Sequence, residues 1–294
     1  GPRIMAKRYK KENVYDAANK RIAVAFRDFE NVLVAFSAGK DSGIMLNLVY
    51  EYAKAHGFLD RLAIYYEDYE AGYRFTDEYA ARVFSGYADV KRKYWLCLPI
   101  SAACAVSMHQ TRWIPWDEEK QAIWVRPMPT LDCVVNANNC PYEFIKGTKG
   151  FDARIQFSQW FSKAHGTTAV MIGIRADESL TRLGIFTSQH RRFMHKRLRY
   201  TTRVDDQTYN FYPVYDWKTE DVWIANAKFG WDYNKIYDLY YQAGLSIDQM
   251  RVASPFHQCG QANLQLYRTI DPNSWGKMVG RVNGVNFTGI HGGT

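Results

Sequence analysis

One stretch of the chain constrains its fold more than any other: the apolar run Asn31–Phe36 passes at once into a loop of small residues and then into a helical pattern. The run has the length of a strand, and its continuous apolar character is typical of a strand covered on both faces. In residues 44–52 the apolar positions fall at i, i+1, i+4, i+5 and i+8, which is one face of a helix. Gly57 suits the end of that helix. Strand, loop and helix are therefore predicted in this order.

The same alternation continues along the chain. Strands are predicted at residues 62–66, 94–98, 169–174 and 209–214, and helices at 76–87 and 155–164. Strands that alternate with helices form βαβ crossovers, which produce a parallel sheet with helices on both faces. The predicted fold class is therefore α/β, with a doubly wound, mostly parallel sheet.

Composition divides the chain into segments. Residues 1–30 are predicted to be a basic N-terminal segment and residues 31–215 the α/β domain. Residues 101–150, rich in Trp, Pro, Asn and Cys, lose all periodicity and are expected to be an irregular insertion in that domain. Residues 216–294 are predicted to be a helical C-terminal region.

The net charge of +8 is local rather than general. Residues 182–203 carry seven basic and no acidic side chains, and residues 3–11 carry five more basic ones, which leaves −4 for the rest of the chain. Gly1-Pro2 is typical of a cleaved purification tag, so residues 1–4 are expected to be a tag remnant. A solvated terminus is the favoured interpretation of the basic tail.

The cysteines and the lengths of the apolar runs predict the cellular compartment of the protein. The five cysteines are scattered, which argues against a disulfide scaffold and favours a reducing cytoplasm. The longest apolar runs are strand-sized, far below the roughly 18 to 20 residues that cross a bilayer. We therefore expect a cytoplasmic protein with no membrane partner.

The loop at residues 37–42 has the features of a phosphate site. It lies where a strand meets a helix N-terminus, so backbone N–H groups and the helix dipole converge on an anion. Lys40 would add a positive charge, and Ser37 and Ser42 would add hydroxyl donors. Asp41 would offer a carboxylate to a Mg²⁺ ion that bridges a polyphosphate. The Walker A spacing is absent, and an ordinary polar turn is the alternative.

This loop resembles the PP-loop of the ATP pyrophosphatase (adenine nucleotide alpha hydrolase) superfamily, usually Ser-Gly-Gly-Lys-Asp-Ser, whose members are similar in a doubly wound fold and in acting at the nucleotide α-phosphate. Here it reads Ser37-Ala38-Gly39-Lys40-Asp41-Ser42. Ala38 replaces the first of the two glycines, which restricts the backbone. The resemblance implies that Lys40 and Asp41 are catalytic and that the other loop residues bind phosphate.

Three further segments resemble the phosphoadenosine phosphosulfate (PAPS) reductase branch of that superfamily. Asp68 falls where the branch has an acidic residue near the nucleotide. The other two segments are Gly173-x-Arg175-x-x-Glu178-Ser179-x-x-Arg182 and Pro213-Val214-Tyr215-Asp216-Trp217 with Asp221-Val222-Trp223 and Tyr237-Asp238 beyond. The resemblance implies nucleotide contacts by Asp68 and by the named residues of the Gly173 segment, with Arg175 also catalytic. Internal salt bridges remain the alternative for Arg175 and Arg182.

The cysteines depart from that branch. PAPS reductases resemble one another in a C-terminal Glu-Cys-Gly-Leu-His whose thiol attacks sulfur, whereas this chain has His257-Gln258-Cys259-Gly260. Cys259 is therefore a candidate thiol without the usual acidic neighbour. The cysteine pairs that hold an iron–sulfur cluster in APS-reducing relatives are missing, so no cluster is expected. The other cysteines are interpreted as buried free thiols.

The insertion and the tail also resemble a bacterial and phage-borne group of PAPS-reductase-like proteins, often found beside a ParB-like partner gene and discussed as regulators or defence factors. The segments concerned include Trp113-Ile114-Pro115-Trp116 and Arg281-Val282-Asn283-Gly284. The resemblance implies a ParB-like partner. Because chains of this group usually continue beyond the position of Thr294, the C-terminus is expected to be incomplete.

Three functional hypotheses follow. The first is an enzyme that binds ATP or PAPS with Mg²⁺ and acts at the α-phosphate with release of pyrophosphate. The second is thiol-dependent reduction of PAPS through Cys259. The third is a nucleotide-sensing regulator that binds a ParB-like partner or nucleic acid through Arg191, Arg192, Lys196, Arg197 and Arg199.

Overall fold

The computed structural model describes residues 13–103, 112–176, 193–246, 250, 268–269 and 271–283. Seven strands form the main sheet: β1 (Asn31–Phe36), β2 (Leu62–Glu67), β3 (Arg92–Cys97), β6 (Val134–Asn136), β7 (Thr168–Ile172), β8 (Thr201–Asp205) and β9 (Thr208–Phe211). Their order is β6-β3-β2-β1-β7-β9-β8, and all pairs are parallel except β8 with β9. A separate antiparallel pair joins β4 (Ala102–Ala103) to β5 (Arg112–Trp113).

Helices cover both faces of this sheet. They are α1 (Val14–Asp28), α2 (Lys40–His56), α3 (Arg74–Gly86), α4 (Gly150–His165), α5 (Thr219–Phe229), α6 (Ile236–Gln242) and α7 (Pro272–Asn283). Alternate residues of β1 point to opposite faces: Val32 packs in one cluster with α1, α2, α3 and α5, and Leu33 packs in another with α4. The predicted α/β class with a doubly wound, mostly parallel sheet is confirmed.

The position of β1 fixes where a ligand can bind. β1 pairs with β2 on one side and with β7 on the other. Helix α2 connects β1 to β2, whereas the chain reaches β7 only after β2, β3 and β6. The direction of winding therefore reverses between β1 and β7. In open α/β sheets the ligand crevice lies outside the carboxyl ends of the strands at such a switch point.

Some elements were not predicted from the sequence. The segment predicted only as a basic terminus contains α1, which Asn13 caps by accepting from the N–H of Tyr15 at 2.9 Å and which buries Ile22 and Phe26. The predicted insertion is mostly irregular but contributes β6 to the edge of the main sheet. The basic segment of residues 182–203 ends inside β8, whose pairing with β9 shifts register between Arg203 and Asp205.

A buried ion pair fastens α7 to the loop after β2. Arg281 Nε lies 3.0 Å from Oε2 of Glu70, and Arg281 Nη2 donates to the carbonyl of Ile114 at 2.7 Å. Glu70 also accepts from the N–H groups of Trp116 and Val125, and its exposure is 0%. Burial raises the pKa of Glu70, against the opposing effect of Arg281. The C-terminal helix, the insertion and the β2 edge are therefore joined through one carboxylate.

Apolar packing accompanies this ion pair. Met278 and Val282 of α7 share an apolar cluster with Tyr240 of α6. The same cluster contains Tyr73, which directly precedes α3, and Trp113 of β5. The predicted C-terminal region thus packs on the α/β domain through a common core. Among the helices of the described ranges, none has the length and apolar character needed to cross a membrane.

Candidate functional site

The loop at residues 37–42 lies at the carboxyl end of β1, at the switch point. Ser42 closes it, because its Oγ accepts from the N–H of Ser37 at 3.0 Å and lies 2.8 Å from Oγ of Ser37. Helix α2 then begins at Lys40 after Gly39, an N-cap residue that has no side chain to cap the helix. A helix N-terminus of this kind offers N–H groups and a positive dipole end to an anion.

Lys40 is almost buried at the first position of α2, with 8% exposure. Its ammonium lies 3.3 Å from the carbonyl oxygen of Met250 and 3.8 Å from Oδ2 of Asp41. Its backbone N–H donates to the hydroxyl of Tyr237 at 2.9 Å. The C-terminal region thus contacts both the backbone and the side chain of the lysine for which the sequence predicted a catalytic role.

Arg175 reaches the loop through Asp41 in this structure. Its Nε donates to Oδ1 of Asp41 at 2.8 Å, Nη1 to the carbonyl of Trp217 at 3.2 Å, and Nη2 to Oγ1 of Thr219 at 3.2 Å. Arg175 is 2% exposed. These bonds tie the segment after β7 to the start of α2 and of α5, so the internal ion pair considered as the alternative for Arg175 is present.

The surroundings of Asp41 bear on the predicted magnesium site. Both of its oxygens face cations, one on Arg175 and one on Lys40. Across the described ranges, no three His, Cys, Asp or Glu side chains lie close enough together to hold a metal ion. The described residues therefore do not form a magnesium site on their own, and magnesium at Asp41 stays a prediction.

Gly173 follows β7 and touches the first turn of α2. A Cβ atom on Gly173 would lie 2.9 Å from the backbone nitrogen of Ser42 and 3.1 Å from the carbonyl carbon of Asp41. Real Cβ atoms do not approach backbone so closely. The glycine is therefore what lets the loop after β7 lie against the candidate phosphate loop.

Substitution of Gly173 by alanine is expected to push these two segments apart. Overpacking in a tight core costs about 1 to 3 kcal/mol, so Gly173→Ala should lower the free energy of unfolding by about that amount in urea titrations. Gly86→Ala is the control, because nothing lies within 4 Å of a Cβ there. Equal stability of Gly173→Ala and the native chain would contradict the close approach.

Asp68 lies just beyond β2 and is 2% exposed. Its Oδ2 accepts from Nε1 of Trp95 at 2.7 Å, and its Oδ1 accepts from Nη2 of Arg126. Nε of Arg126 lies 3.0 Å from Oδ2 of Asp77. Burial raises the pKa of Asp77 to about 7, although Arg126 acts in the opposite direction. The predicted acidic position therefore belongs to a buried cluster of two carboxylates and one guanidinium.

Sequence reasoning missed several residues of this region. Arg126 and Asp77 were not among the predicted site residues, nor were Asn234 and Tyr237, whose side chains contact the loop. Asn234 carries no charge and belongs to no phosphate motif. For Tyr237 the sequence did contain a signal, since the Tyr237-Asp238 pair forms part of the resemblance to PAPS reductases.

Several predicted residues lie outside the described residues: Glu178, Ser179, Arg182, Arg191, Arg192 and Cys259. Of the basic cluster, Lys196, Arg197 and Arg199 are described, and the ammonium of Lys196 lies 3.1 Å from Oδ2 of Asp28. Burial raises the pKa of the described thiols, which are Cys97, Cys133 and Cys140, and so disfavours their thiolate form.

Comparison with known proteins gives matches over most of the chain. A family model described as the phosphoadenosine phosphosulfate reductase domain matches residues 31–244, and a domain of unknown function (DUF3440) matches residues 244–294. The chain is 34% identical over 284 residues to the "Uncharacterized protein YbdN" of Escherichia coli strain K12. That match covers 96% of this chain and 68% of the relative.

The solved structures that match this chain are more distant in sequence. An FMN adenylyltransferase from Candida glabrata, in complex with FMN and the ATP analogue AMPCPP, is 12% identical with a TM-score of 0.44, over 78% of this chain and 61% of that one. A PAPS reductase from Candida auris, in a phosphate complex, is 14% identical with a TM-score of 0.42, over 76% and 84%.

The family match spans β1 to α6 and includes the 37–42 loop, Asp68, Gly173 and Arg175. It agrees with the resemblance carried by those residues and with the order of the strands around the switch point. The chain therefore belongs to the phosphoadenosine phosphosulfate reductase domain family, within the PP-loop adenine nucleotide alpha hydrolase superfamily.

Proposed function

We propose that the protein binds ATP, or the related nucleotide PAPS, with its phosphates on the 37–42 loop, and that with ATP it acts at the α-phosphate with release of pyrophosphate. The observation that carries the proposal is the start of α2. There α2 begins at a nearly buried lysine, directly at the switch point of the sheet and after a glycine that has no side chain to cap the helix. Helix N-termini in this position are favourable sites for phosphate groups.

The proposed reaction is a displacement at phosphorus. An oxygen of the acceptor forms a bond to the α-phosphorus, and the bond from that phosphorus to the oxygen bridging towards the β-phosphate breaks. Pyrophosphate leaves with the electron pair, and the proton of the acceptor passes to solvent. Water as the acceptor gives AMP, and another nucleophile gives an adenylylated product.

The residues of the loop would act on the charge that builds on the leaving pyrophosphate. Lys40 and the N–H groups at the start of α2 would stabilise that charge as preorganised donors. Asp41 and Arg175, joined at 2.8 Å, would hold the first turn of α2 in place. In this proposal Arg175 is a positioning residue that reaches the phosphates through Asp41.

Two alternatives from the sequence stay open as hypotheses. Reduction of PAPS would need a reactive thiol, and the candidate, Cys259, lies outside the described residues. A nucleotide-sensing regulator would bind without turnover and signal to a ParB-like partner or to nucleic acid. A cytoplasmic location and the use of magnesium also remain predictions.

The direct test is incubation with ATP and, separately, with PAPS and a thiol reductant, each with and without Mg²⁺. Pyrophosphate, AMP and sulfite are assayed together. Pyrophosphate from ATP supports the proposal, whereas sulfite from PAPS without pyrophosphate from ATP supports the reductase. Binding of nucleotide with no product supports the sensor. If the protein neither binds nor turns over either nucleotide, the proposal is overturned.

A further inference from the structure

Asn234 lies shortly before α6 and is completely buried, with 0% exposure. Its Nδ2 donates to the carbonyl oxygen of Ala38 at 3.2 Å and to Oγ1 of Thr76 at 2.9 Å. Its Oδ1 accepts from the N–H of Ile236 at 3.1 Å. One side chain therefore joins the 37–42 loop to the first turn of α3 and to α6.

The backbone that Asn234 holds has a conformation that alanine rarely adopts. Ala38 has a φ of 64°, in the left-handed region, where the Cβ of an L-residue lies too close to the following carbonyl oxygen. Such a conformation persists only where the surrounding structure enforces it. Here the carbonyl of Ala38 is held by Asn234, and two residues later the N–H of Lys40 is held by the hydroxyl of Tyr237.

We infer that Asn234 is a positioning residue for the nucleotide phosphates and that it acts by holding Ala38 in the left-handed conformation. The inference rests on the proposed function, since it takes the 37–42 loop to be the phosphate site. If the loop is released from this conformation, only the fraction of molecules in which Ala38 remains left-handed can bind the nucleotide. The apparent Kd then rises by the reciprocal of that fraction.

The test is a double-mutant cycle between Asn234→Ala and Ala38→Gly, with the Kd for α,β-methylene-ATP measured by calorimetry. In the native background, Asn234→Ala is expected to raise the Kd roughly tenfold, the factor set by one left-handed alanine. In the Ala38→Gly background the same change should have a much smaller effect, because glycine adopts this conformation without support. Equal increases in both backgrounds would overturn the inference.

Asn31→Ala is the matched control. Asn31 is also buried and donates from Nδ2 to a backbone carbonyl, that of His165, at 2.9 Å, but it lies at the opposite end of β1 from the loop. Its replacement is expected to reduce stability without changing the Kd. A tenfold rise in Kd for Asn31→Ala would mean that any buried asparagine has this effect, and the inference would be wrong.

A measurement without nucleotide separates this inference from the proposed function. Hydrogen exchange of peptides that span residues 37–43 should become roughly tenfold faster with Asn234→Ala and change little when Ala38→Gly is already present. If the native protein binds no nucleotide but shows this exchange pattern, the proposed function fails and the role of Asn234 in holding the loop stands. Unchanged exchange in Asn234→Ala would overturn the inference itself.

Discussion

Replacement of Lys40 by alanine is expected to slow pyrophosphate release from ATP by a factor of about 100 or more, because it removes a preorganised cation from the leaving group. The lysine is placed for this role at the first position of α2. Its ammonium now lies 3.3 Å from the carbonyl of Met250, and it would exchange that oxygen for a phosphate oxygen on binding. Steady-state assays of pyrophosphate at saturating ATP measure the change.

The fold should tolerate this substitution, because Asp41 keeps its ion pair with Arg175 at 2.8 Å. Lys54→Ala is the control, since Lys54 is an exposed lysine in the last turn of the same helix. It should release pyrophosphate at the native rate. Unchanged pyrophosphate release by Lys40→Ala would exclude the proposed role of the loop.

Replacement of Arg281 by methionine should lower the free energy of unfolding by about 3 to 5 kcal/mol, the range found when one partner of a buried ion pair is removed. Glu70 would keep its two backbone donors but would lose its cation while fully buried. Urea titration at pH 7 and 25 °C measures the loss. Arg74→Met, which breaks the exposed pair of Arg74 with Glu78, should cost less than about 1 kcal/mol.

The pH dependence of that loss has a defined sign. Burial already raises the pKa of Glu70, and removal of Arg281 would raise it further. A carboxyl group whose folded-state pKa is raised contributes stability at low pH that is lost as the pH rises through that pKa. The destabilisation by Arg281→Met should therefore be smaller at pH 5 than at pH 8. A loss below 1 kcal/mol at pH 8, or one that is larger at pH 5, would contradict this account.

The fold around β1 could be predicted because its signals are local. A continuous apolar run, a loop of small residues and a 3.6-residue period specify the β1, loop and α2 sequence. In contrast, β6 has only three residues and forms by pairing with β3. Helix α1 follows directly after a basic tail, and the whole of residues 1–30 was therefore predicted only as a basic segment. Short strands and helices of this kind depend on tertiary contacts that a single sequence does not reveal.

The candidate site was likewise predictable only where its signals are local. The loop and Gly173 were identified from motif and position, because the carboxyl ends of neighbouring strands meet at one edge of the sheet. The contact of Asn234 with the loop was not predicted, since Asn234 is 196 residues from Ala38, and neither was the pair that fastens α7, since Arg281 is 211 residues from Glu70. The pairing of Arg175 with Asp41 likewise joins residues 134 positions apart. No local pattern encodes such partners.

The two outer strands of the main sheet have a consequence for self-association. β6 has only three residues, and β8 bears charged side chains on either side of its register shift, at Arg203 and Asp205. Short, irregular or charged edges offer few aligned backbone groups to another chain. Edge-to-edge joining of sheets from two molecules is therefore disfavoured, and the parallel core is protected from growing into an intermolecular aggregate.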